Sequence, residues 1–146
     1  MILLWIPVLI FAYIKMIDPG EKRKHPVLNV KYYAHRGFHG EEGIPENSMA
    51  AFKKAKELGY GMELDVQLTK DGKLVVFHDF DLKRMCGIHK KLTELTYAEL
   101  EQYFLKGSTE KIPLFSAVLD LIAGRTPLVV EIKVGYDYKA TTEAAA

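Results

Sequence analysis

Four short apolar runs, each carrying histidine or carboxylate toward its end, limit what this chain can fold into more than any other feature. They are Val30 to His35, Gly61 to Leu68, Lys73 to His78 and Leu128 to Lys133. All are rich in β-branched and large apolar residues, so all read as strands with polar chemistry at one end. Alternate side chains of a strand share a face, which sends Glu63 and Asp65 one way and Leu64 and Val66 the other. By the same rule Glu131 and Lys133 project together, opposite Val130 and Ile132. Laid side by side as parallel strands, the four runs would bring two histidines, three acids and two cations together at the strands' C-terminal ends. Such a grouping is too costly to desolvate without a task.

Between the runs lie helical signals, as an α/β chain requires. After His35 the loop holds Gly37, Gly40 and Gly43. Pro45-Glu46-Asn47-Ser48 follows, where Asn47 or Ser48 caps a helix reaching about Leu58 and closed by Gly59. Glycines let backbone amides approach an anion, and Arg36 offers a forked donor suited to phosphate. Thr96 and Glu99 form a capping box that starts a helix to about Leu105. Another helix follows Pro113, with Val118, Leu121 and Ile122 on its buried face and Gly124 at its end. The basic residues Lys83-Arg84 and Lys90-Lys91, around Cys86 and His89, read as a solvated surface loop; His25 and His39 read as exposed. One link resists the parallel scheme. Asp71-Gly72 between two apolar runs ordinarily makes a hairpin, whereas a barrel takes the second run as parallel, led in from an extension of the first, and the pattern leaves both open.

Composition adds bounds. The 49% apolar content supports a core, and 20 basic against 19 acidic residues show no excess that would favour nucleic acid. One cysteine excludes an intrachain disulfide framework and a cysteine-rich zinc site. Residues 1–17 are almost wholly apolar and just long enough for a bilayer, with no basic segment before them and no small-residue cleavage site after. They are expected to form one membrane anchor, the alternative being a buried first helix. Residues 18–29 then form a charged linker whose basic bias predicts a cytoplasmic placement of the remainder, residues 30–146. The ending Thr141-Thr142-Glu143-Ala144-Ala145-Ala146 reads as a helix just beginning. An eight-unit barrel takes about 250 residues, so this chain is expected to supply about half of one.

Taken together, Ala34-His35-Arg36-Gly37, Pro45-Glu46-Asn47-Ser48, Glu63-Leu64-Asp65-Val66, Thr69-Lys70-Asp71-Gly72, Val76-Phe77-His78-Asp79, Ile112-Pro113-Leu114 and Glu131-Ile132-Lys133 resemble, in order and spacing, the N-terminal half of the glycerophosphodiester phosphodiesterase family. The resemblance covers about Tyr33 to Lys133. It implies a TIM (β/α)8 barrel of the phosphodiesterase type, here about its first half, with a small insertion over about 79–107. It also implies His35 and His78 as the acid and base pair, and Glu63, Asp65 and Glu131 as ligands of a divalent cation, Mg2+ or Ca2+. Arg36 and Lys133 would grip the phosphate and Glu46 would support them, while Asn47 is as readily a plain helix cap.

The implied reaction is hydrolysis of glycerophosphodiesters to sn-glycerol 3-phosphate and an alcohol. A phosphodiester repels nucleophiles and has a poor alkoxide leaving group, so charge neutralisation and a proton donor are what it needs. Carboxylate oxygens select hard cations, and histidines titrate near neutrality. Two alternatives keep the same residues: lysophospholipase D-type action or cyclising phosphoryl transfer, and a catalytically inert membrane-tethered fragment.

Overall fold

The computed structural model describes residues 30–133 together with Phe11, Tyr13, Lys15 and Met16. In chain order the elements are β1 (Tyr33–Ala34), α1 (Met49–Glu57), β2 (Gly61–Leu68), β3 (Leu74–Val76), α2 (Lys83–Cys86), a 3-10 turn (Leu92–Glu94), α3 (Tyr97–Leu100), α4 (Phe115–Ile122) and β4 (Leu128–Ile132). β2 is the axis of the sheet. β1 pairs with its first residues in parallel, Tyr33 against Gly61 and Ala34 against Met62. β4 runs parallel along the other edge, from Met62 against Leu128 to Val66 against Ile132.

β3 corrects the parallel expectation: it runs antiparallel to β2, Val66 against Val76 and Leu68 against Leu74. The turn chemistry decides this. Thr69 N–H donates to Lys73 O at 2.9 Å, Thr69 Oγ1 donates to Asp71 Oδ1 at 2.6 Å, and Gly72 takes φ +71. A link that short reverses the chain and can do nothing else. Phe77 N–H bonds Asp65 O while Lys133 N–H bonds Val66 O. Consecutive carbonyls of a strand point to opposite edges, so β3 lies on the β1 side of β2 and β4 on the other.

Met62, Leu64 and Val66 face α1 and α4 and are fully buried with Phe52, Ala55, Val118 and Ile122. Burying each large aliphatic or aromatic side chain contributes about 1.5–3 kcal/mol, and this cluster carries the sheet. Ser48, not Asn47, caps α1, accepting from Ala51 N–H at 3.1 Å. Gly37 sits where the β1–α1 loop meets that helix. A Cβ there would come within 2.8 Å of the Ala51 methyl, so only glycine fits. α4 ends where Ala123 and Gly124 both take positive φ.

A second cluster is built mainly on the segment expected to be an insertion: Leu82, Leu92, Leu95, Leu100 and Leu105 pack with Val75, Phe77 and Ile112 from either side of it. The arm of the hairpin is shared, Val76 entering the first cluster and its neighbours Val75 and Phe77 the second. Thr96 and Glu99 form the expected capping box, but α3 stops at Leu100. The basic stretch read as a solvated loop is in part helical, as α2, and Arg84 within it is paired on two sides.

Against the expectation of a membrane-anchored chain with its remainder on the cytoplasmic side, no helix among the described residues is long and apolar enough to cross a membrane. Most of segment 1–17, the linker 18–29 and the C-terminal ending lie outside the described residues.

Candidate metal and phosphate site

The opposite face of the sheet is polar. Registration of Asp65 against Glu131 and of Glu63 against Val129 puts the three acids on one face of two adjacent strands. Glu63, Asp65 and Glu131 each offer a carboxylate oxygen, all within 4.8 Å of one another. Asp65 is the buried member, about 1% exposed, and Glu131 is largely open.

Cations surround this trio. Lys133 Nζ pairs with Glu131 Oε1 and lies 3.1 Å from Asp65 Oδ1. The second contact is an ion pair with poor angles, so Asp65 Oδ1, though buried, has no hydrogen-bond partner among the described residues. Burial works against the Lys133 ammonium, but the two carboxylates outweigh it and hold its pKa above the usual lysine value. Asp65 Oδ2 accepts from Asn47 Nδ2 at 2.9 Å and faces Arg36 Nε at 3.5 Å. Asn47 is therefore tied to the acid cluster rather than capping α1.

Arg36 takes φ +55, uncommon for a residue with a side chain. That conformation stops β1 and turns two donors inward. Its N–H bonds Glu63 Oε2 at 2.9 Å, and its Nη1 bonds Glu46 Oε1 at 3.0 Å.

The two histidines stand differently. His35 leaves the end of β1 with its side chain 70% exposed and Nε2 3.9 Å from Glu63 Oε2. His78 is 31% exposed, and its Nδ1 is 2.7 Å from Asp79 Oδ1. Gln67, buried on the acid face of β2, donates through Nε2 to Phe77 O and Asp79 O, both at 2.8 Å. It thereby fixes the backbone on either side of His78. Arg84 bonds Asp79 and Glu46 together, and its fork holds both carboxylates below their usual range.

All eight residues singled out from the sequence thus border one end of the sheet. Sequence reasoning missed Gln67, Asp79 and Arg84. The His78-Asp79 doublet was a usable signal for Asp79. No local pattern links Arg84 to Glu46, 38 positions away.

Comparison with known proteins decides the family. The profile of the glycerophosphoryl diester phosphodiesterase family matches residues 35–146. The chain belongs to the glycerophosphoryl diester phosphodiesterase family. Within that family it is 40% identical over 110 residues to a glycerophosphodiester phosphodiesterase of Bacillus altitudinis, covering 70% of this chain and 44% of that protein. It is 37% identical over 137 residues to Lysophospholipase D GDPD1 of Homo sapiens, covering 85% of this chain and 43% of the relative. Among solved structures it is similar to a glycerophosphodiester phosphodiesterase of Thermotoga maritima (37% identity, TM-score 0.66, 80% of this chain and 47% of that one). It is also similar to a phosphodiesterase of Oleispira antarctica in complex with the product sn-glycerol-3-phosphate (28% identity, TM-score 0.71, 80% and 50%). The chain spans about half the length of these relatives or somewhat less. Its parallel β1–β2–β4 sheet with helices on the outer face is the corresponding part of their TIM barrel.

The donor set fits the divalent cation on which the family generally depends. Three carboxylates converge, their oxygens are hard donors, and one buried oxygen of Asp65 lacks a hydrogen bond.

Proposed function

We propose that this chain supplies the cation- and phosphate-binding face of a glycerophosphodiester phosphodiesterase, releasing sn-glycerol 3-phosphate and an alcohol. The convergence of Glu63, Asp65 and Glu131 between two cationic side chains is the observation that supports it. Those carboxylates would hold Mg2+ or Ca2+, and the bound cation would supply charge neutralisation at the phosphoryl oxygen. Arg36 and Lys133 lie at the border of the same cluster, where they would meet the remaining phosphate charge. Glu46 bonds the Arg36 guanidinium and fixes its plane.

His35 and His78 would divide the proton work. Each stands at the end of a strand beside the acid face, and an imidazole can both accept and return a proton. His78 has its Nδ1 occupied by Asp79, which leaves Nε2 as the nitrogen that exchanges a proton. One proton must leave the attacking hydroxyl and one must reach the departing alkoxide, so two such groups suffice.

A second substrate class has specific support. The human lysophospholipase D matches 85% of this chain against 70% for the bacterial phosphodiesterase, which favours testing a lysophospholipid beside the smaller diester. Both readings are tested by supplying glycerophosphocholine or lysophosphatidylcholine to the full chain, with Mg2+, Ca2+ or chelator, and measuring choline, glycerol 3-phosphate and lysophosphatidate. Cation-dependent release that His35→Ala or Glu63→Ala lowers at least about a hundredfold is expected. Release insensitive to chelator, or release unaffected by both substitutions, would sink the assignment.

A further inference from the structure

Arg84 stands half-exposed on the short helix α2, outside the sheet that carries the acids. Its contacts nevertheless reach both sides of the site. The Nε and Nη2 donors grip Asp79 at 2.7 and 3.0 Å, and the Nη1 and Nη2 donors grip Glu46 at 3.0 and 2.6 Å. All four carboxylate oxygens are thereby taken by one planar guanidinium. Beyond Asp79 the chain of contacts runs to His78 Nδ1, and beyond Glu46 to Arg36 Nη1.

We propose that Arg84 is a positioning residue, which through Asp79 holds the His78 imidazole in the tautomer with its proton on Nδ1; the inference rests on the phosphodiesterase reading given above. An ionised carboxylate only accepts hydrogen bonds, so Asp79 demands an N–H from the ring nitrogen it faces. That leaves the Nε2 lone pair toward substrate. Arg84 makes the arrangement rigid in two ways. It occupies both Asp79 oxygens, so the carboxylate cannot rotate away from the ring, and it is itself anchored at Glu46 on the β1–α1 loop. The fork also holds the Asp79 carboxyl below its usual pKa, which favours the ionised, acceptor-only form. A lysine at position 84 would keep the charge but, as a single point donor, could not span two carboxylates.

The test is the full chain carrying Arg84→Met or Arg84→Lys, the first keeping the apolar stem and the second the charge. Imidazole 15N chemical shifts report the tautomer directly. The intact chain is expected to show His78 as a single Nδ1–H tautomer. Both variants are expected to show a mixture, with kcat toward glycerophosphocholine down about 10- to 100-fold, as for a misplaced proton-transfer group. The unfolding midpoint should stay almost unchanged, because the side chain is half in solvent. Unchanged 15N shifts in both variants, or an Arg84→Lys protein indistinguishable from the parent, would overturn the proposal. The 15N readout needs no turnover. A chain silent on every diester would refute the phosphodiesterase reading alone, and His78 shifts altered by both substitutions would still uphold the brace.

Discussion

The two faces of β2 are built from adjacent residues and obey opposite rules. On one face Met62, Leu64 and Val66 are fully buried against helices and gain stability from water exclusion. On the other, Glu63, Asp65 and Gln67 are held by hydrogen bonds and opposite charges, and Asp65 keeps a buried oxygen without a hydrogen bond. A structure selected for stability alone would fill the second face as it fills the first. The contrast teaches that the strand's period of two separates the work of folding from the work of chemistry, so the two should fail independently.

The separation can be broken most violently on the apolar face. Leu64→Ala should cost about 2–5 kcal/mol, since it deletes a fully buried side chain and leaves a cavity. A denaturation midpoint unmoved by that change would show that the sheet is held by something else. On the acid face the converse is expected. Glu131→Gln, at an open position, should shift stability by less than about 0.5 kcal/mol. It should also abolish the stabilisation that added Mg2+ or Ca2+ is expected to confer on the parent through ligand linkage. Thermal melts with and without cation read both at once. Equal cation stabilisation in the variant would remove Glu131 from the site.

The smallest effect sharpens the comparison at the rim. Glu46 and Asp79 hold their protons less tightly in the fold than unfolded, chiefly because Arg84 hydrogen-bonds to them. A depressed folded pKa means the stabilisation is complete above the ordinary carboxylate range and is lost as pH falls through the folded values, below about 4. Because Arg84 is half-exposed, the total is expected to be under about 1 kcal/mol. Arg84→Met should flatten that acid limb of the stability curve, and Leu64→Ala should leave its shape alone.

Sequence reasoning read β2 residue for residue and placed α1, α4 and β4 within a few positions, because each has a strong period and a recognisable stop. β1 was read too long. Its extended pattern runs to His35, but pairing with β2 covers only Tyr33 and Ala34, and the positive φ of Arg36 ends it. No propensity scale predicts that conformation; the Glu63 carboxylate receiving its N–H explains it. The hairpin is legible in Asp71-Gly72, but the sequence pattern leaves it open against a parallel run, and the turn geometry decides it. The carboxylate trio and its cations were legible because each belongs to a strand end. Gln67 and Arg84 were not, since a mid-strand amide and a charged loop residue look like ordinary surface until their partners are known.

The order of strand pairing has a consequence for how the site comes into being in time. Val66 meets Val76 across a tight turn, whereas Met62 meets Leu128 only after the whole intervening chain has been gathered. Local hairpins close in microseconds, and distant pairings wait on a larger loss of loop entropy. The hairpin carrying His78 should therefore mature before β4 delivers Glu131 and Lys133, making the complete proposed cation site a late product of folding. Pulse-labelled hydrogen exchange should find the Phe77 amide, bonded to Asp65 O, protected earlier than the Lys133 amide, bonded to Val66 O. During that interval Glu63 and Asp65 would stand together without their third partner, and a nascent chain would lack the full set of carboxylates proposed to hold a cation.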